Sequence, residues 1–136
     1  MFTRFFAPTV EVQAHCDLPC GVYDPAQARI EAESIKALIG KLDDNDDPDF
    51  RTRAVIIKEQ RSELVKHHLW VLWTDYFKPP HFGKYPELHE LFNKATKAAG
   101  GGPNGTKSSN DPATGQALLD LIAQIDKIFW ETKAAS

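Results

Sequence analysis

Residues 111–133 read DPATGQALLDLIAQIDKIFWETK, and this stretch decides the fold. Its Asp-Pro start is typical of a helix, because an acidic N-cap accepts backbone hydrogen bonds and proline suits the first helical position. The apolar residues that follow recur every three or four positions, as on one face of a helix: Leu118, Leu121, Ile125, Ile128 and Phe129. The stretch therefore predicts an amphipathic helix from 112 to about 133.

The same Asp-Pro start occurs twice more, at 24–25 and 47–48. We expect helices from 25 to about 42, from 48 to about 77 and from 86 to about 99. Pro79 and Pro80 should end the second helix in an extended turn. The glycines of 100–105 should end the third helix and begin a polar, mobile loop that reaches 110. Because no stretch alternates as a strand would, the sequence predicts an all-α fold, an antiparallel up-down-up-down four-helix bundle.

The size and charge of the chain exclude several classes of protein. Its 136 residues fit one domain, and its net charge of -3 gives no reason to expect nucleic-acid binding. No apolar run approaches the roughly 18 residues of a membrane span. Residues 1–14 faintly resemble a signal peptide, but Pro8 and Glu11 interrupt the apolar run too early. We therefore expect a cytoplasmic protein that acts without a membrane.

Both cysteines lie in one short stretch, HCDLPCGVY at 15–23. Cys16 and Cys20 flank Pro19, and His15 directly precedes the first thiol. Two thiolates beside an imidazole suit zinc, copper or nickel rather than magnesium or calcium. A structural zinc site needs four ligands, and only three cluster here. Spacing alone thus leaves a metal site, a local disulfide and two unconnected thiols all open.

The stretch 15–23 resembles the N-terminal metal hook of the nickel-containing superoxide dismutases. The resemblance continues at 24–34, 57–61, 75–82, 84–89, 111–116 and 122–133. It implies a single bundle domain over 15–136 that begins with a nickel hook at 15–23. It also implies that residues 1–14 are a propeptide, which a maturation protease removes, and that the protein is a homohexamer. The clear departure from the family is the glycine-rich loop near 102.

The resemblance also implies the metal ligands and the reaction. Nickel would bind the α-amine and imidazole of His15, the amide nitrogen and thiolate of Cys16, and the thiolate of Cys20. The ion would cycle between its divalent and trivalent states and convert superoxide into dioxygen and hydrogen peroxide. Three further residues would surround the metal, with the tyrosine beside the hook among the catalytic residues: Asp17, Tyr23 and Tyr76.

Two charged residues fall on apolar stripes. Glu31 is at helical spacing with Ala28 and Ile35, and Arg61 is at helical spacing with Ile57. Both should therefore point inward, where each charge needs a partner that the other could supply. A structural ion pair, or side chains that reach back to the surface, would explain the pattern equally well. The resemblance implies instead that both contact the axial histidine of the metal site.

Two functions of other classes stay open from the residues alone. A flexible chelating loop could store or deliver nickel or copper as a carrier, and a Cys16–Cys20 disulfide could act as a redox switch. An enzyme should keep its metal and turn over, whereas a carrier should release metal to a chelator. A switch should work without any metal.

Overall fold

The computed structural model describes residues 21–136, and these residues are helical throughout their regular structure. The helices are α1 (Ala26–Asp43), α2 (Pro48–Val71), α3 (Pro79–Lys84), α4 (Leu88–Ala98) and α5 (Pro112–Ala134), with a π-helical turn, Leu72–Tyr76, after α2. The all-α prediction is confirmed. The propeptide and the ligands predicted at 15–20 lie outside the described residues. None of the described helices is long and apolar enough to cross a membrane.

The four long helices form a bundle. Helix α1 packs against α2 and α5, and α4 packs against the same two helices. Arg61 of α2 contacts Glu31 of α1, whereas Arg51, earlier on α2, donates to the carbonyl of Leu42, later on α1. Contacts that run in opposite directions along the two helices show that α1 and α2 are antiparallel, as predicted.

The three Asp-Pro sequences begin helices by local hydrogen bonding. The side chains of Asp47 and Asp111 cap α2 and α5, each accepting from a backbone N–H at 2.8 Å. Asp24 accepts from the N–H of Ala26, also at 2.8 Å, so α1 begins one residue later than predicted. These starts were predictable because donor and acceptor are separated by only two or three residues.

The prediction for residues 72–84 was wrong in two ways. The α-helical pattern ends at Val71 and continues as a π turn, whose last bond joins the N–H of Phe77 to the carbonyl of Leu72 at 2.9 Å. Pro79 then opens helix α3, although an extended turn was expected there. The extended segment is limited to Phe77, with φ -72° and ψ 133°, and Lys78, with φ -122° and ψ 164°, as a residue before proline should be. Helix α4 begins at Leu88 and not at 86.

The buried faces of α1 and α2 differ in part from the predicted stripes. In α1, Ala28 and Ile35 are buried as predicted, but Ala32 is buried where Glu31 was expected. In α2 the buried residues are Ala54, Lys58, Ser62, Val65 and Leu69. Glu31 and Arg61 consequently lie at the edge of the core and not within it.

The loop between α4 and α5 is more structured than its glycine content predicted. Thr106 is fully buried, and its hydroxyl lies 2.7 Å from that of Ser62 on α2. Lys58, also buried, donates to the carbonyl of Ser109 at 2.6 Å and to Oδ1 of Asn110 at 2.7 Å. Hydrogen bonds from two positions of α2, Lys58 and Ser62, therefore hold the loop against that helix.

Candidate metal centre and its surroundings

The described chain begins beside the predicted hook. Gly21, which directly follows Cys20, has φ +84°, a left-handed conformation that glycine adopts at little cost. Pro25 is buried, and Ala26 starts α1 five residues later. The predicted metal hook is thus joined to the first turn of α1 by a short segment.

Tyr23 and Tyr76 form the aromatic part of the site. Their ring centroids are 5.9 Å apart, and both rings pack against the hydrophobic core. Tyr76 is the last residue of the π turn, and π turns are frequent at functional sites because the extra residue changes the direction of the side chains that follow. The structure therefore brings together two of the sequence-predicted residues from distant parts of the chain.

The ring of Tyr76 is held on several sides. It stacks on His81 with ring centroids 5.7 Å apart, and its centroid lies 4.3 Å from that of Phe129. Its hydroxyl oxygen lies 2.7 Å from Oγ1 of Thr132. His81 is itself fixed, since its Nδ1 accepts from the N–H of Lys78 at 3.1 Å. Burial, followed by the nearby Lys78 charge, lowers the pKa of His81, so the imidazole is neutral at pH 7.

Glu31 and Arg61 are partners, as the sequence predicted. One guanidinium nitrogen of Arg61 lies 3.0 Å from Oε2 and 3.2 Å from Oε1 of Glu31. The Glu31 side chain is 15% exposed and that of Arg61 is 43% exposed. The prediction that both point into the core was wrong, because the pair lies where α1 and α2 meet solvent.

His68 stands about two turns further along α2 from Arg61. Burial, and then the neighbouring His67, lower the pKa of His68, while the Glu31 carboxylate raises it. His68 is therefore a neutral imidazole at pH 7, within electrostatic reach of Glu31. No function was predicted for His68 from the sequence.

Sequence reasoning missed Thr132 and Lys58. Thr132 is 4% exposed near the end of α5, and its helical spacing with Ile125 and Phe129 was the available signal for its burial. Lys58 is 1% exposed, and burial lowers its pKa. A lysine at helical spacing with Ala54, Val65 and Leu69 was the available signal for its burial.

A sequence model of the nickel-containing superoxide dismutases matches residues 10–133 of the chain. The chain belongs to this family. It is 69% identical over 135 residues to the superoxide dismutase [Ni] of Streptomyces coelicolor, covering 99% of this chain and 100% of the relative. It is 68% identical, with the same coverage, to the superoxide dismutase [Ni] of Streptomyces seoulensis.

Solved structures of nickel superoxide dismutases have the same fold. A native structure is 70% identical and superimposes with a TM-score of 0.82, covering 88% of this chain and 99% of the solved chain. A metal-free structure is 68% identical with a TM-score of 0.79, covering 84% and 99%. The four-helix fold predicted from the sequence is thereby confirmed.

As a member of the nickel superoxide dismutases, the chain is an oxidoreductase that converts superoxide into dioxygen and hydrogen peroxide, and its cofactor is nickel. These findings confirm the predicted activity and favour it over the carrier and the redox switch. Among residues 21–136, no group of three or more histidine, cysteine, aspartate and glutamate residues could hold a metal ion. The thiolates of 15–20, by contrast, are the soft donors that suit nickel.

Proposed function

We propose that this chain is the precursor of a superoxide dismutase, and that His15, Cys16 and Cys20 hold its nickel after the Ala14–His15 bond is cut. The family match carries the proposal, because the matched residues 10–133 include the whole hook. Residues 1–14 then form the propeptide, and 15–136 form one bundle domain with the hook at 15–23.

The solved relatives support the position of the cut. Three of them carry substitutions at a histidine in the first position, an aspartate in the third and a tyrosine in the ninth. The same residue types occur here with the same spacing, as His15, Asp17 and Tyr23. The native solved structure also covers 88% of this chain but 99% of its own length, so the solved chain is shorter by a length similar to residues 1–14.

The chemistry of His15 explains why the cut matters. In the precursor its nitrogen is an amide, which has no basic lone pair. A free α-amine has a pKa of roughly 7.7–8.0 and can lose its proton to bind metal near neutral pH. Nickel held by these residues would supply one-electron redox chemistry, by which one superoxide ion loses an electron and a second gains one. The thiolates of Cys16 and Cys20, with the amide nitrogen of Cys16, donate strongly and so favour the higher oxidation state.

The Glu31–Arg61 pair is proposed to orient the imidazole of His15. A ligating imidazole usually donates its second N–H to a carboxylate, a carbonyl or water. Glu31 is only 15% exposed and keeps lone pairs beyond those that accept from Arg61. Arg61 in turn holds the carboxylate in place.

Asp17, Tyr23 and Tyr76 are proposed to surround the reacting face of the metal. The two rings lie 5.9 Å apart at the place where the chain leaves the hook. Such a crowded aromatic face admits species of the size of superoxide and excludes larger reductants.

The protein is proposed to work as a homohexamer in the cytoplasm. Several large apolar side chains of the described residues are exposed and would be covered in an assembly: Val22, Ile30, Val55, Ile56, Leu64, Trp70 and Trp130. Sedimentation, which measures the size of the assembly, tests the first proposal, the hexamer. Cell fractionation tests the second, and activity confined to a membrane or external fraction would oppose it.

The uncut and cut forms provide the decisive test. We expect full-length protein given nickel to stay at background activity, and protein that begins at His15 to remove superoxide. Protein that begins at Cys16 is the matched control, since it has a free amine but lacks the imidazole, and it should be inactive. Equal activity of the uncut and His15 forms would show that the α-amine is not a ligand. Metal that both forms surrender readily to a chelator, without turnover, would indicate a carrier.

A further inference from the structure

The hydrogen bonds around Tyr76 have a direction that the heavy atoms determine. Its hydroxyl oxygen lies 2.7 Å from Oγ1 of Thr132, and that Oγ1 lies 2.7 Å from the carbonyl oxygen of Phe129. A carbonyl can only accept, so the single hydroxyl proton of Thr132 goes to Phe129. The remaining contact forms a hydrogen bond only if Tyr76 donates its proton to Thr132.

Packing keeps this arrangement in place. Thr132 is 4% exposed, which leaves little room for water to replace the Tyr76 hydroxyl as its partner. The Tyr76 ring is held between His81, stacked at 5.7 Å, and Phe129 at 4.3 Å. Rotation of the phenol proton away from Thr132 would therefore leave a buried hydroxyl oxygen without a donor.

We propose that Thr132 is a positioning residue that makes Tyr76 a hydrogen-bond acceptor towards the metal site. With its only proton committed to Thr132, Tyr76 can offer other groups nothing but the lone pairs of its oxygen. This inference rests on the proposed place of Tyr76 beside the hook.

The polarity of Tyr76 selects what it can bind. An accepting oxygen binds a small neutral molecule that carries an O–H group, such as water or hydrogen peroxide. It does not bind superoxide, which has no hydrogen to donate and whose negative charge is repelled by the lone pairs. Two superoxide ions and two protons give one dioxygen and one hydrogen peroxide, so a held hydrogen peroxide is a product of the reaction and a held water is placed to relay one of its protons. By fixing the direction of this hydrogen bond, Thr132 makes Tyr76 a residue that binds water or hydrogen peroxide and not superoxide.

The direction of the proton is measured without metal. The Raman ring doublet of tyrosine has different relative intensities for a phenol that donates and one that accepts. Subtraction of the Tyr76→Phe spectrum isolates the Tyr76 signal in the full chain. We expect a donating phenol in the parent and in Thr132→Ser, and loss of that signature in Thr132→Val, which keeps the shape but has no hydroxyl. An accepting signature in the parent, or no change in Thr132→Val, would overturn the inference.

Activity of the cut, nickel-loaded enzyme tests the positioning role. We expect Thr132→Val to lower activity roughly tenfold, as loss of a supporting partner commonly does, and Thr132→Ser to retain most of it. In the Tyr76→Phe background, Thr132→Val should cause no further loss, whereas losses that multiply would overturn the role of Thr132. If Tyr76→Phe kept full activity and the parent showed a donating phenol, Tyr76 would not belong to the metal site. The inferred direction of its hydrogen bond would still hold. Circular dichroism checks that each variant keeps its helices.

Discussion

At the scale of single residues, solvent exposure determines how much the Glu31–Arg61 ion pair contributes to folding stability. Removal of one partner from a fully buried pair costs about 3–5 kcal/mol, because the other charge is stranded. Here Arg61 is 43% exposed, so water can solvate its charge when Glu31 is replaced, and removal of the Arg61 side chain opens the less exposed Glu31 to water. The pair resembles a surface pair, which contributes about 0.2–1 kcal/mol. Its main effect should therefore be on the orientation of a neighbour and not on stability.

Glu31→Gln and Arg61→Ala should lower superoxide dismutation by about 10–100-fold while nickel stays bound, as for other partners of metal ligands. Unfolding free energy should fall by no more than about 1 kcal/mol. Glu33→Gln is a matched control, because Glu33 pairs with Arg29 at 2.8 Å on the same helix but away from the site. Activity assays, metal analysis and urea unfolding measure the three quantities. Unchanged activity in both variants would reduce the pair to a structural ion pair.

Cys16→Ser and Cys20→Ser should each bring activity to background with the helices intact. Both positions precede α1, which starts at Ala26, so none of the helices described within 21–136 includes them. A serine hydroxyl is not deprotonated near neutral pH and cannot replace a thiolate donor. Superoxide assays and circular dichroism on the cut protein give the result. A variant that kept most of its activity would contradict the two-thiolate site.

Helices were predictable where their signals are local and unpredictable where they are not. The Asp47 and Asp111 caps bond to N–H groups two or three residues away, and both starts were correct. The turn at Leu72–Tyr76 has no such signal, because its wider hydrogen bonding is stabilised by what Tyr76 meets on other helices. The α1 stripe was correct at Ala28 and Ile35 but wrong at Glu31, where the next residue is the buried one. The α2 stripe was wrong because the buried face of that helix includes the polar residues Lys58 and Ser62, which apolar spacing does not select.

The site was predictable to a similar extent. The pairing of Glu31 with Arg61 followed from two charges on neighbouring antiparallel helices. The Thr132 contact could not be found, because residues 76 and 132 come together only through the bundle. The family resemblance, and not periodicity, selected the ligands.

At the scale of secondary-structure elements, Lys58 of α2 holds the loop between α4 and α5 in its conformation. Lys58→Met should free residues 109–110 and cost about 1–3 kcal/mol of unfolding free energy, because the half-buried carbonyl of Ser109 and the exposed side chain of Asn110 lose a buried, charged donor. Burial lowers the pKa of Lys58 in the folded chain, so between that value and the usual 10.5 the unfolded chain binds more protons. Stability contributed by Lys58 should therefore increase as pH rises through this window.

Denaturant unfolding across the alkaline range measures this dependence. The parent should gain stability relative to Lys58→Met as pH rises towards 10.5. Lys127→Met, at an exposed position on α5, should follow the parent. Parallel curves for parent and Lys58→Met would contradict the proposed cost of burying the charge.

At the scale of the whole molecule, the exposed apolar residues of α2 and α5 bear on assembly. Val55, Ile56 and Trp130 are 38%, 52% and 49% exposed. If the proposed hexamer covers them, Ile56→Glu should shift the sedimenting species to smaller assemblies, because a carboxylate would be desolvated in the interface. Lys41→Glu, at an exposed position outside this apolar group, serves as the charge-changing control. A monomeric parent would contradict the proposal.

The π turn also determines how the coding sequence tolerates changes in length. Loss of one codon within 72–75 would keep the reading frame and allow a regular α-helix to continue past Val71. A π turn closes i→i+5 hydrogen bonds whereas an α turn closes i→i+4 bonds, so the π turn contains one residue more. Removal of that residue would leave Tyr76 near its present place beside Tyr23 and Thr132. A one-residue deletion here should thus be less costly than one within α2, where every later residue would turn by about 100° around the helix axis.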